Sequence, residues 1–271
     1  MKYLISICLL GFFSQQVFSF SEVEEKGYLR IAVYKNYSPF SYRDGGKLKG
    51  IEVDLGKLLA RKMGVDPVIW AIGADENMED DLRNTVWKGH YLGGGTADVM
   101  LHVPVHKRFA EDNDRVIIGN AYFQEEIVAA RHNSLTSIPL IKLFANKKIG
   151  VELDTLPDFY LVGAHGGRFR QNVLHYATVD EAVKAMVAGD VRCVVAPRSQ
   201  IEAALSGLRD EYVFNNVTMP RSYQAQWTVG MAVKEGRKEL MLRLHQALDD
   251  IKASGELTNL FKKYNISYTK P

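Results

Sequence analysis

Apolar positions along this chain follow two rhythms in alternation. Leu29-Arg30-Ile31-Ala32-Val33-Tyr34 is short, rich in branched residues and alternating, which predicts a strand. A turn-rich stretch over 36–50 follows, with Pro39 and Asp44-Gly45-Gly46. Ile51, Leu55, Leu58, Leu59 and Met63 then recur at helical spacing, and Gly64 ends that helix. Residues 65–72 predict a second strand and 97–101 a third. Between them Asn77 is placed to cap a helix whose first turn carries Glu79, Asp80 and Asp81, where the helix dipole favours negative charge. Strand, helix, strand, helix, strand argues for an α/β fold on a parallel sheet.

The same alternation resumes near Glu125. Residues 125–130 and 148–151 predict strands, and Thr155 can cap a helix with Pro157 in its first turn. Thr178-Val179-Asp180-Glu181 is a capping box ahead of Ala182, Val183, Met186 and Val187. Cys193-Val194-Val195-Ala196 predicts a short buried strand. Two helical patterns close the chain: Leu240, Leu244, Ala247, Leu248 and Ile251, then Leu257, Leu260, Phe261 and Tyr264. With no short-period repeat and no Pro-, Ser- or Gly-rich linker, the pattern describes two α/β units joined by short segments.

The first twenty residues differ from the rest. Lys2 is their only charge, an apolar run covers 4–13, and small residues follow, with Val17 and Ser19, or Ser19 and Ser21, suited to a cleavage site. This reads as a secretory signal over 1–20, too short to span a bilayer. The bulky Ile7 before Cys8 argues against a lipid anchor there. The expected location is the periplasm. Loss of Cys8 leaves Cys193 alone, a small core residue without a disulfide partner.

Composition narrows the function. Of 271 residues, 46% are hydrophobic and 24% charged, which excludes wholesale disorder and fibrous repeats. Thirty-four Lys and Arg against 32 Asp and Glu leave +2, no electrostatic basis for a nucleic-acid partner or an acidic membrane surface. Phosphate-loop, dinucleotide, nucleophile-elbow, zinc-protease and CxxC signatures are all missing, so no cofactor is expected. Gly93-Gly94-Gly95 reads as a turn needing positive φ. His102 and His106 flank Pro104 and cannot stack on one helical face, which disfavours a metal site with His90. The acidic residues Asp75, Glu76, Glu79, Asp80 and Asp81 read as a solvated helix start. Trp87-Lys88-Gly89-His90-Tyr91 reads either as packing under a loop or as a functional surface.

Four stretches, in this order behind a signal segment, resemble the periplasmic solute-binding proteins of amino-acid ABC transporters (family 3). Leu29-Arg30-Ile31-Ala32-Val33 with Ser38-Pro39-Phe40-Ser41-Tyr42 is similar to the family's first strand and its following loop. Gly50-Ile51-Glu52-Val53-Asp54-Leu55 is similar to the first helix start. Ala97-Asp98-Val99-Met100, Lys107-Arg108 and Tyr122-Phe123 match a third region. Lys148-Ile149-Gly150-Val151 and Asp190-Val191-Arg192-Cys193-Val194-Val195 match a fourth.

The resemblance implies an α/β, two-lobed type II binding-protein fold with a ligand cleft between lobes and two hinge crossings, near 119–123 and 217–223. Lobe 1 would comprise 21–121 plus 222–271, and lobe 2 would comprise 122–221. It implies a monomer handing a small ligand to a transporter's membrane component. Arg108 matches the family's carboxylate clamp, Phe40 and Tyr42 its aromatic wall, and Thr155 a second-lobe helix start. His102 and Arg198 complete the expected ligand-binding set.

Two departures bear on the ligand. Val103, Pro104 and Val105 stand where family hydroxyls precede the Arg. Pro197 and Arg198 stand where an acid would pair with a ligand ammonium. The expected ligand is therefore a small polar, anionic solute rather than an α-amino acid. The longer segment 74–95 motivates an alternative, an accessory protein of a periplasmic quinoprotein alcohol or methanol dehydrogenase. A third reading, a cleft dehydratase, would use Glu152 or His102 as general acid.

Overall fold

A computed structural model of the chain describes residues 21–220 and 224–271. The signal segment 1–20 and residues 221–223 of the second expected crossing lie outside the described residues.

The first half begins with α1 (Ser21–Lys26), β1 (Tyr28–Tyr34), the hairpin β2 (Tyr42–Asp44) and β3 (Lys47–Lys49), α2 (Ile51–Lys62) and β4 (Asp66–Ile72). It continues through α3 (Met78–Leu82), β5 (Val99–Pro104) and α4 (Lys107–Asp112). The long β6 (Val116–His132) leads to α5 (Leu140–Asn146), β7 (Ile149–Glu152), α6 (Leu156–Gly167), β8 (Val173–Tyr176), α7 (Val179–Ala188), β9 (Cys193–Pro197), α8 (Arg198–Leu205) and β10 (Tyr212–Asn216). The chain returns through β11 (Gln226–Lys234) to α9 (Lys238–Ala253) and α10 (Glu256–Lys263).

The strands order as β4-β1-β5-β11-β6-β9-β7-β8, with β10 on the other side of β6. Pairing is parallel around β1 and around β7, and antiparallel where β5, β11, β6 and β9 meet. β6 changes partners along its length. Val116 to Glu126 pair with β11, whereas Ile127 and the residues after it pair with β9 and β10. The expected strand over 125–130 is thus the second part of a 17-residue one. Its first part escapes the sequence pattern because most of it is half-buried and Asn120 bends it at φ 49°.

Local signals formed as their chemistry dictates. Asn77 Oδ1 accepts from Asp80 N–H at 2.8 Å and starts α3. Thr178 Oγ1 accepts from Glu181 N–H at 3.2 Å, while the Glu181 carboxylate reaches back to Ala177 N–H. Gly93, Gly94 and Gly95 all take positive φ, as the turn reading requires.

Packing gathers distant segments. Leu29, Ile31 and Val33 of β1 share a core with Leu55 and Leu59 of α2 and with Leu244, Leu248 and Phe261 of the C-terminal helices. A separate core holds Ile149, Val151, Phe144, Leu161, Cys193 and Val195. Trp227 on β11 packs against both. Cys193 is fully buried, and burial pushes its thiol up to about 12. Iodoacetamide at pH 8 is expected to leave the native thiol unmodified and to alkylate it in denaturant. Native alkylation, read by intact mass, would show that this core opens.

Candidate functional site

The C-terminal ends of the parallel strands of both halves converge on one cleft, where open α/β sheets place ligands. Tyr37 follows β1, Pro104 ends β5, Glu152 ends β7 and Pro197 ends β9. Together with His106, Phe109, Ile127, Thr155, Leu156, Gln200 and Trp227 they line a cavity of about 590 Å³. A second hollow of about 540 Å³ shares Tyr37, Glu152, Val179 and Gln200 with it and runs past Tyr42 and Asp180 to Lys263 and Tyr264. The shared walls make the two one continuous cleft. A third hollow of about 400 Å³, lined by Tyr34, Lys35, Ile72, Met78 and His102, opens on the other side of Tyr37.

Mostly apolar and aromatic walls carry a few polar groups, which is how ligand sites set orientation. Glu152 is half-buried, so desolvation raises its carboxyl above the usual carboxylate range, while the Val179 N–H at the start of α7 pulls it down. Thr155 sits at the N-cap of α6 but does not cap it; its hydroxyl donates instead to the Glu152 carbonyl at 2.6 Å. Glu152 and the uncapped start of α6 are therefore held side by side on one wall.

Behind Tyr37 lies a buried polar network. His102 takes φ 62°, unusual for a non-glycine residue, and its Nδ1 lies 2.6 Å from Glu52 Oε1. Tyr122 donates to that same oxygen at 2.5 Å and accepts from the His102 N–H at 3.0 Å. Burial and the Glu52 charge push the Tyr122 phenol well up. Glu52 Oε2 has no hydrogen-bond partner among the described residues. Edge-on contacts at 4.6 Å set the His102 ring against Tyr37 and Phe40. Glu125, 2% exposed, accepts from the Ser199 hydroxyl and from Glu126 N–H. Burial raises its carboxyl to about 7 against the pull of these donors. Burial, and after it the nearby charges of Glu125 and Glu52, raise the Tyr37 phenol.

The residues expected from the sequence are distributed unevenly. Thr155 and Tyr42 line the cleft, and His102 lines the third hollow. Phe40 is fully buried and supports the wall through its stacking on Tyr37. Arg108 stands apart: its side chain is 85% exposed, its guanidinium lies 3.8 Å from Asp112 on the same helix, and the next residue, Phe109, takes the cleft-facing position. Arg198 is bonded to Glu126 at 2.8 Å and to Glu202 at 3.0 Å and does not line the cleft. Tyr37, Phe109, Gln200 and Trp227 were not foreseen. Only Tyr37 had a sequence signal, as an aromatic in the turn after a strand, because the others reach the site through tertiary structure.

Residues 29–86 match the model of bacterial extracellular solute-binding proteins, family 3. The L-cystine-binding protein TcyJ of Escherichia coli (strain K12) is 23% identical over 257 residues, covering 90% of this chain and 85% of the relative. A probable histidine-binding protein of Campylobacter jejuni is 22% identical, covering 88% and 85%. Among solved structures, an ancestral cationic amino acid solute-binding protein superposes with a TM-score of 0.70 at 18% identity, covering 90% of this chain and 98% of that one. The substrate-binding protein of a polar amino acid ABC uptake transporter from Streptococcus thermophilus gives 0.70 at 19%, covering 93% and 91%. The resemblance read in the sequence therefore holds, with the family segment near the N-terminus and the two-lobed α/β fold throughout.

Proposed function

We propose that this chain is an extracytoplasmic receptor that holds an amino-acid-like solute in the cleft between its lobes and delivers it to an ABC transporter. The carrying observation is the pairing of Glu152 with the uncapped start of α6 on one cleft wall. A carboxylate beside a helix start offers complementary charge to an ammonium and a carboxylate one carbon apart. This revises the expectation against an α-amino acid. The acid missing after β9 is supplied from β7, its parallel neighbour in the sheet, where Ile149 pairs with Cys193. Relatives named for cystine, histidine and polar amino acids support the same class.

In this reading the lobes divide as 21–121 plus 222–271 and 122–221, and β6 and β11 form the crossings about which they close. Residues 1–20 direct export to the periplasm, and the receptor binds its solute without turning it over. The test is thermal denaturation of the signal-free protein against the amino acids. A ligand at about 100 times its Kd adds roughly 2.7 kcal/mol, several degrees for a chain of this size. We expect a saturable rise with at least one amino acid, abolished in Glu152→Gln, and recovery of that amino acid unchanged. A flat response from folded protein would count against the receptor reading.

A further inference from the structure

We propose that the C-terminal segment 265–271 is a strap that limits how far the cleft opens, latched by the Ser267 N–H on the buried carboxylate of Glu202. This rests on the lobe division above and adds a third link between lobes, beside β6 and β11.

The segment is fixed to lobe 1 on both sides of the latch. Asn265, at φ 60°, turns the chain out of α10. Ile266, 4% exposed, sits in the core built from β1, α2 and the C-terminal helices. The Tyr268 ring packs on Phe261 with centroids 5.1 Å apart. Between these anchors Ser267 reaches lobe 2. Its N–H donates to Glu202 Oε2 at 2.7 Å, and its hydroxyl accepts from Arg209 Nη2 at 3.0 Å. Two residues on, the Thr269 carbonyl accepts from the Gln124 N–H of β6 at 3.0 Å, close to the first expected crossing.

Glu202 lies on α8 and is fully buried. Its Oε1 accepts from Arg198 and from Arg209, each at 3.0 Å and each in lobe 2. Lobe 2 thus satisfies one oxygen itself and leaves the other to an amide of lobe 1. Drawing α8 away from the tail would strip a buried carboxylate oxygen of its donor, a costly step for a charged group. Ser267 cannot follow α8 without pulling Ile266 and Tyr268 from their packing. The latch also governs the cleft. Ala203 and Ala204 of α8 face Lys263, Tyr264 and Asn265 across the second hollow, so these walls part only when the latch breaks. Gln200, two residues before Glu202, lines both cavities together with Tyr37 of lobe 1. A strap that favours the narrower cleft also favours any solute gripped by both lobes, because less of the binding energy is spent on closure.

Pulsed electron paramagnetic resonance would read the opening directly, without a ligand. Nitroxide labels go on Lys262→Cys of α10 and Asp180→Cys at the start of α7, both exposed, in signal-free protein carrying Cys193→Ala. We expect one narrow distance in this background. Ser267→Pro deletes the N–H and should lengthen the mean distance by several ångströms and broaden the distribution about two-fold. Ser267→Ala keeps the N–H, loses only the hydroxyl contact and should stay near the background. In the unsubstituted protein the Ser267 amide should exchange its hydrogen about 100-fold more slowly than an unprotected amide. A folded proline variant with an unchanged distance would overturn the proposal. Equal widening in Ser267→Ala would overturn the assignment of the latch to the N–H. A freely exchanging Ser267 amide would overturn the strap even if the proline variant failed to fold. Neither readout uses an amino acid, so a flat thermal response would count against the receptor reading alone, and an unprotected Ser267 against the strap alone.

Discussion

Replacing Gly230 by alanine is expected to destabilise the protein more than any other single methyl added to its crossing strands. Gly230 lies on β11 at the point where pairing with both β5 and β6 shifts register. A Cβ there would overlap the carbonyl oxygen of Gly119 and the Cγ2 of Val105 outright, with the Ala121 Cα 3.3 Å away. The first obstruction is backbone, so no rotamer change relieves it, and β6 must move away from β11. Overpacking of this kind costs about 1–3 kcal/mol in a core that can adjust, and more where backbone must shift. We expect a loss of about 4 kcal/mol and a melting temperature lower by roughly 10 °C. Gly119→Ala is the control. Its Cβ would meet only the end of Met241, at 3.5 Å, an ordinary contact, and should cost well under half as much. Equal losses from the two would show that the cost reflects glycine content of the strands rather than the close approach. The same position tests the hinge: strands forced apart at Gly230 would leave any surviving protein with weaker ligand binding, since Trp227 sits three residues earlier on the same strand and lines the cleft.

The frame of the molecule could be read from local pattern, and the site only in part. Helices such as α2 and α9 announce themselves because one face packs on the sheet and repeats every three or four residues. Caps at Asn77 and Thr178 depend on a single side chain and its own backbone, so sequence suffices. The cleft is another matter. Arg108 was assigned by its place after β5, yet on a helix one residue's difference is a rotation of about 100°, and it is Phe109 that faces inward. Arg198 matched by position too, but sequence does not reveal that Glu126, 72 residues earlier, lies within 2.8 Å of it. Glu152 was visible as an acid at a strand end. What was hidden was the adjacency of β7 and β9, which lets one strand supply the charge that the other lacks. Trp227 joins the two cores because β11 returns beside β6, a long-range pairing that no local window contains.

Replacing Glu125 by glutamine is expected to stabilise the protein above neutral pH and to flatten its pH dependence. Burial raises this carboxyl from an ordinary value of 4.5 to about 7. The native state therefore keeps a proton that the unfolded chain releases near pH 4.5. Between those values the native state binds more protons than the unfolded one, so stability falls as pH rises and levels off above about 7. A rise of that size corresponds to roughly 3 kcal/mol lost between pH 4 and pH 8. Glutamine keeps an oxygen to accept from the Glu126 N–H and offers an amide N–H that the Ser199 hydroxyl can accept, while removing the charge. Urea unfolding should show the variant equal to the parent near pH 4.5 and about 1–3 kcal/mol more stable at pH 8. Parallel curves for parent and variant would mean that Glu125 ionises in the native protein as it does in the unfolded chain.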